Sequence, residues 1–218
     1  MFIHTNDGIE LYYEKHGEGR PLLLVHGNGE DHTIFEEAVE ILQEHFTCYT
    51  VDSRGHGRST PVTELHYADM ARDLVDMMEE LQLQDVIFYG FSDGGILGLL
   101  AAAECSRIGT LITSGANLTP KGVKVSLRIL IRLMYLVKRD PKMKLMMQEP
   151  HISDDTLGRI HIPALVLAGS RDLILEKETR HIASALPKGT LKILPGEGHG
   201  SYIVHSRKIA KEILAFCT

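Results

Sequence analysis

Short apolar runs alternate with amphipathic stretches along most of this chain of 218 residues. Leu22-Leu23-Leu24-Val25 follows Pro21 as a continuous apolar run, the pattern of a central strand buried on both faces. Cys48-Tyr49-Thr50-Val51, Val86-Ile87-Phe88-Tyr89, Ile108 to Thr113, Ile162 to Leu167 and Leu191 to Leu194 read as further strands. Ile9 to Glu14 alternates with period two after the Asn6-Asp7-Gly8 turn signal, which predicts an N-terminal antiparallel hairpin. Between the strands lie helical spacings. Phe35, Val39, Leu42 and Phe46 mark one helix, opened by the capping box Thr33-x-x-Glu36. Met70, Leu74, Met77 and Leu81 mark a second, and the small-residue run Gly95 to Ala103 a third. Ile182 with Leu186, and Ile209, Ile213 and Phe216, mark the last two. Strand and helix in alternation predict an α/β fold, a mostly parallel sheet with helices on both faces.

The rhythm breaks between about Asn117 and Arg159, which divides the chain into a core of residues 1–116 and 160–218 and a small helical cap of residues 117–159. The cap opens on a long amphipathic pattern with Leu127, Leu130, Ile131, Met134 and Val137. A second short helix is expected with Asp140 as its N-cap and Pro141 at its first position, ended by Pro150. Asp154 or Asp155 would cap another short helix. Met134, Met143, Met146 and Met147 offer an adaptable apolar lining over the sheet edge, with Met134 a candidate substrate contact. The same segment is basic: Lys121, Lys124, Arg128, Arg132, Lys138, Arg139, Lys142 and Lys144 face only Asp140. A solvated helix face accounts for this charge, and so would attraction of an anionic substrate or of a membrane surface.

A content of 44% apolar and 24% charged residues is that of an ordinary soluble globule, and a net charge of −6 argues against general nucleic-acid binding. No apolar run approaches the roughly 20 residues of a membrane span. The start, Met1 to Gly8, lacks the basic-then-apolar layout of a secretion signal, so the expected location is the cytoplasm, without stable membrane insertion. Cys48, Cys105 and Cys217 have no metal-ligand spacing and read as free thiols. None of the histidines shows the spacing of a zinc helix, so no metal is expected; the serine chemistry below calls for no organic cofactor.

The chemistry centres on Gly90-Phe91-Ser92-Asp93-Gly94, a G-x-S-x-G pattern between a strand run and a small-residue helical run. A sharp strand-to-helix turn exposes a serine hydroxyl, with a helix N-terminus behind it that favours developing negative charge. A serine hydroxyl is a poor nucleophile at neutral pH and needs a base within hydrogen-bond reach. Asp172 follows one later strand, and His199, in Pro195-Gly196-Glu197-Gly198-His199-Gly200, follows the last. In an open parallel sheet the C-terminal strand ends share one edge, so these loops converge. Asp154 and Asp155 compete with Asp172 but approach a strand rather than follow one. His205 competes with His199 but sits where the last helix begins.

Taken in order, these segments closely resemble the α/β-hydrolase fold superfamily over almost the whole chain. His26-Gly27-Asn28-Gly29 is similar to its oxyanion-loop motif, and Asp52-Ser53-Arg54-Gly55-His56-Gly57-Arg58-Ser59 to its D-x-R-G-x-G-x-S segment. Gly90 to Gly95 resembles the nucleophile elbow, and Gly169 to Asp172 and Gly198-His199 the acid and base loops. The resemblance implies Ser92 as nucleophile, His199 as base and Asp172 as its orienting acid. It implies an oxyanion hole of the backbone N–H groups of Asn28 and Asp93. Asp52 and Arg54 are expected to pair near the site, and His26 to order the oxyanion loop.

The expected activity is that of a carboxylesterase acting on small to medium esters through an acyl-enzyme, with a small-molecule ester as partner. A C–C bond hydrolase, an aminopeptidase or amino-acid-ester hydrolase, and a non-catalytic ligand receptor share the same constellation. Asp93 has two readings. One is a favourable charge in a first helical turn. The other is a contact for a substrate amino group, since the elbow is similar to that of α-amino-acid ester hydrolases of the valacyclovir-hydrolase type. Phe91, beside the nucleophile, is a further candidate substrate contact.

Overall fold

The computed structural model describes residues 1–217. The chain opens with the expected hairpin, β1 (Phe2–His4) pairing antiparallel with β2 (Glu10–His16). β3 (Arg20–Val25) leads through a 3₁₀ turn, His32–Phe35, into α1 (Glu36–Leu42). The turn is capped by Asp31, whose carboxylate accepts from the Thr33 N–H at 3.0 Å. Asp31 thus takes the capping role expected of Thr33, because the chain tightens into a 3₁₀ turn before the α-helix starts. β4 (Phe46–Val51), α2 (Tyr67–Glu80), β5 (Val86–Phe91), α3 (Asp93–Glu104) and β6 (Ile108–Ser114) complete the first part.

Three helices then precede the next strand: α4 (Val125–Lys138), α5 (Pro141–Gln148) and α6 (Asp154–Gly158). Asp140 caps α5 by accepting from the Lys142 N–H at 2.8 Å. Ser153, rather than Asp154 or Asp155, caps α6, and the two aspartates fill its first turn. α6 packs against α3 with Leu157 fully buried, and Leu118, Leu145 and Ile152 of the same segment join that core. β7 (Ala164–Gly169), α7 (Glu176–Ala185), β8 (Gly189–Leu194) and α8 (Lys208–Cys217) close the chain.

The strands form one eight-stranded sheet in the order β1-β2-β4-β3-β5-β6-β7-β8. Only β1 and β2 run antiparallel to their neighbours; β3 to β8 are parallel. The continuous apolar runs divide with period two between the faces. Leu23, Val25, Val86 and Phe88 join the core under α2 and α3, whereas Leu22, Leu24, Ile87 and Tyr89 join the core under α1 and α8. Burial on both faces explains why these strands read as unbroken apolar runs.

β3 lies between β4 and β5, so the chain leaves it in one direction across the sheet and the later strands extend in the other. Such a reversal opens a crevice beyond the C-terminal strand ends. The loops after β3, β5, β6, β7 and β8 all emerge at that edge. Among the described residues, no helix is long and apolar enough to cross a membrane.

Candidate active site

Ser92 stands between β5 and α3 with φ +52° and ψ −113°. Positive φ is costly for a residue with a side chain and persists only where the surroundings over-determine it. Here they do. A Cβ on Gly90 would stand 2.1 Å from the Gly94 carbonyl oxygen, and one on Gly94 would stand 2.2 Å from that of Val25. The glycines of the pattern therefore let strand, turn and helix close on one another, and the serine is left at the corner, half-buried.

Ser92 Oγ lies 3.1 Å from His199 Nε2, and His199 Nδ1 lies 2.6 Å from Asp172 Oδ1. Asp172 is buried and accepts from the Ile174 N–H at 2.9 Å and the Gly169 N–H at 3.3 Å. Burial alone would raise its pKa. The hydrogen bond and charge of His199, with the two backbone donors, outweigh burial and hold the carboxyl below its ordinary value. Residues far apart in sequence thus form one hydrogen-bonded series. Asp154 and Asp155 lie elsewhere, and His205 sits 3.5 Å from Glu37 on the surface.

The loop that carries His26 to Gly29 follows β3 and lies beside the serine turn. The Gly27 N–H is taken by Glu30 Oε2 at 3.0 Å, and the Gly94 N–H donates to the His26 carbonyl at 3.1 Å. The N–H groups of Asn28 and Asp93 have no acceptor among the described residues. His26 stands behind this loop, its Nε2 accepting from the Ser53 N–H at 3.1 Å and its Nδ1 2.7 Å from the Gly27 carbonyl.

A cavity of about 190 Å³ opens over Ser92. Its walls include Phe91, Leu127, Met146, Leu173 and Ile174, with Asn28, Glu30, Tyr67, Asp93, Asn117 and Glu149 as polar members. Phe91 packs on the His199 ring at a centroid distance of 5.0 Å. Met134 does not reach this lining, and Met146 of α5 does, because the inward side of α4 is set by Leu127 and Ile131. Asp93 is buried, and its carboxylate accepts from Asn28 Nδ2 at 2.8 Å. Burial raises its pKa to about 6, against the hydrogen bonds of Asn28 and Tyr67. Glu30 is likewise raised by burial.

Several of these residues gave no signal in the sequence. Tyr67 begins α2, and Glu149 lies just past α5 and ties the end of that helix to the start of α2. Its carboxylate accepts from the Tyr67 N–H at 3.0 Å and lies 2.7 Å from His66 Nδ1. Glu30 is the residue directly after the His26-Gly27-Asn28-Gly29 segment, one position beyond the motif.

Arg54 does not pair with Asp52. It donates to Asp73 through Nε at 2.6 Å and to Asp7 at 2.8 Å, fastening α2 and the N-terminal turn to the loop after β4. Asp52 instead accepts the backbone N–H groups of His32 and Arg58, each at 2.8 Å. Among the described residues, Asp31, His32 and Asp52 are the one group whose ligand atoms converge as a metal would need. None of the three lines the cavity at Ser92.

Residues 20–138 match the family model of the alpha/beta hydrolase fold. The chain is 38% identical over 119 residues to the serine hydrolase BPHL of Mus musculus, a match that covers 51% of this chain and 41% of that protein. It therefore spans less than half the length of that relative. It is 24% identical over 254 residues to a putative carbamate hydrolase, RutD, of Pseudomonas syringae, covering 95% of this chain and 97% of that one. Among solved structures, an esterase from Exiguobacterium antarcticum superposes with a TM-score of 0.86 at 20% identity, over 99% of this chain and 98% of the other. An esterase from Thermogutta terrifontis superposes with a TM-score of 0.82 at 22% identity, over 99% and 96%. These structural likenesses speak for the fold, and the matched family model places the chain in the α/β-hydrolase fold superfamily.

Proposed function

We propose that this protein is a hydrolase, a carboxylesterase that cleaves small to medium esters through a Ser92–His199–Asp172 triad and an acyl-enzyme. The observation that carries the reading is the unbroken series from Ser92 Oγ through His199 to the buried Asp172, at the floor of a cavity. His199 Nε2 takes the Ser92 proton as Oγ attacks the ester carbonyl carbon. The carbonyl oxygen, now negative, moves toward the free N–H groups of Asn28 and Asp93. One such donor is typically worth about 2.7–4 kcal/mol in the transition state. His199 then protonates the leaving alkoxide, and the alcohol departs. Water enters, His199 takes its proton, and the acyl-serine is cleaved to the carboxylic acid and free serine. Asp172 keeps the imidazole in the tautomer that presents Nε2 to Ser92 and stabilises the imidazolium. Each step is carried by side chains and backbone of this chain. A cytoplasmic setting is part of the proposal, in keeping with three free thiols.

A second reading concerns the acyl group. Glu30, Asp93 and Glu149 all line the cavity, and His199 is its one basic member. Such a lining favours an ester that carries a protonated amine, as an amino-acid ester does.

The test is hydrolysis of a series of p-nitrophenyl esters by the native chain and Ser92→Ala, with fluorophosphonate labelling of both. Turnover and labelling that vanish together in the variant are expected. Labelling without turnover would favour a narrower chemistry, such as C–C bond hydrolysis, or ligand reception. A folded protein showing neither would overturn the proposal.

A further inference from the structure

Helix α4 is apolar on both sides. Its inner side carries Leu127 into the catalytic cavity and buries Ile131. Its outer side repeats Val125, Ile129, Leu133 and Val137 at every fourth residue, with Leu130 and Leu136 beside them. These six side chains are between 51% and 84% exposed. Apolar patches this continuous on a surface mark a site of interaction.

The rim of the patch says what kind. Lys121 and Lys124 precede the helix, Lys138 and Arg139 end it, and Arg132 flanks the exposed side. All five are exposed, and none forms an ion pair with a carboxylate among the described residues. Beside the patch runs a groove of about 620 Å³ between α4 and α5, walled by Ile129, Leu136, Met146 and Met147. Arg128 and Arg132 stand in its wall, and Arg128 Nε is buried without a hydrogen-bond partner.

We infer that the outer face of α4 docks this protein on an anionic lipid bilayer, lying in the interface rather than crossing it. An interfacial helix buries an apolar face at the headgroup boundary while Lys and Arg at its margins meet lipid phosphates. Exposed aliphatics ringed by unpaired cations supply both parts, and the groove gives an acyl chain a lodging beside the two arginines. A second copy of this chain fits the patch less well. A two-fold contact through α4 would set one basic rim against the other. The inference stands apart from the ester chemistry, since the face lies on the opposite side of α4 from Ser92.

The experiment is co-sedimentation of the full chain with phosphatidylcholine vesicles, with and without phosphatidylserine, at low and high salt. Sedimentation velocity without lipid runs in parallel. Binding to the phosphatidylserine vesicles is expected, weakened by salt and more than about tenfold tighter than to phosphatidylcholine alone. Leu133→Glu with Val137→Glu, and separately Lys124→Glu with Lys138→Glu, should each weaken it by about tenfold or more. Turnover of a soluble ester should be unchanged in both. Absence of binding to anionic vesicles at low salt would overturn the inference, as would binding that neither pair of substitutions alters. A dimer abolished by Leu133→Glu with Val137→Glu, with no vesicle binding, would overturn it in favour of self-association.

Discussion

Gly115, just after β6, stands so close to His199 that a Cβ built on it would lie 2.7 Å from the imidazole Cε1 and 2.9 Å from Nδ1. Its φ is +64°, in the region that disfavours a side chain. The space in which the imidazole reaches both Ser92 and Asp172 is thus left by the missing side chain of a residue in the bend just after β6. Gly115→Ala should push His199 off the Ser92–Asp172 line. A displacement of about 1 Å can cost on the order of a hundredfold in rate. The expected result is kcat reduced by about ten- to a hundredfold, with the melting temperature lowered only modestly. Wild-type kcat in the variant would show that His199 has another place to stand.

Asp172→Asn replaces the acceptor of His199 Nδ1 with a group that can donate, and so favours the wrong imidazole tautomer. Where this exchange acts through the tautomer, kcat falls by about 10⁴-fold. A fall of that order is expected here, with fluorophosphonate labelling slowed in parallel. The carboxylate also bears on stability. Its folded pKa is lowered, so its contribution is present above the unfolded value and is lost as pH falls through the folded one. Acid unfolding of Asp172→Asn should therefore begin from a lower plateau and show a shallower slope in that range.

Asp93 makes the second reading of the substrate testable by pH. Burial raises its pKa to about 6, so it is neutral below that pH and charged above it. The ratio of kcat/KM for an α-amino ester to that of its des-amino analogue should rise as pH climbs through about 6, by about ten- to a hundredfold if the amine meets the carboxylate directly. It should decline again as the amine itself loses its proton. His199 serves both substrates and cancels in the ratio. Asp93→Asn should flatten the profile. A native ratio near one at every pH would remove the amine from the picture.

Arg54 and Asp73 are both buried, and Arg54 is the cation that meets this carboxylate. Arg54→Met should leave Asp73 uncompensated and cost about 3–5 kcal/mol in urea unfolding. Adding Asp73→Asn should recover part of that loss. A cost below about 1 kcal/mol would mean that water or a shifted side chain takes the place of the guanidinium.

Much of this molecule follows from local pattern. Burial on both faces leaves an unbroken apolar run, so β3 and β5 were legible at once. Glycine spacing around Ser92 reflects backbone contacts within one strand-turn-helix unit, so the elbow was legible too. Chain order then sufficed to nominate Asp172 and His199, because parallel strands deliver their loops to one edge. Other choices belong to the assembled fold. Asp52 and Asp73 are both plausible partners for Arg54 along the chain, and only the packing of α2 brings Asp73 to it. Tyr67, Glu149 and Glu30 reach the cavity from separate elements, with no motif to announce them. Helix α4 is the clearest case. Its periodicity placed Leu130 and Val137 with Leu127 and Ile131 on one face, yet Leu130 and Val137 are exposed. A helix that is apolar on both sides has no polar face to mark its outside. Which side turns inward is decided by the surface it meets, and here that surface is α5 and the cavity wall above Ser92.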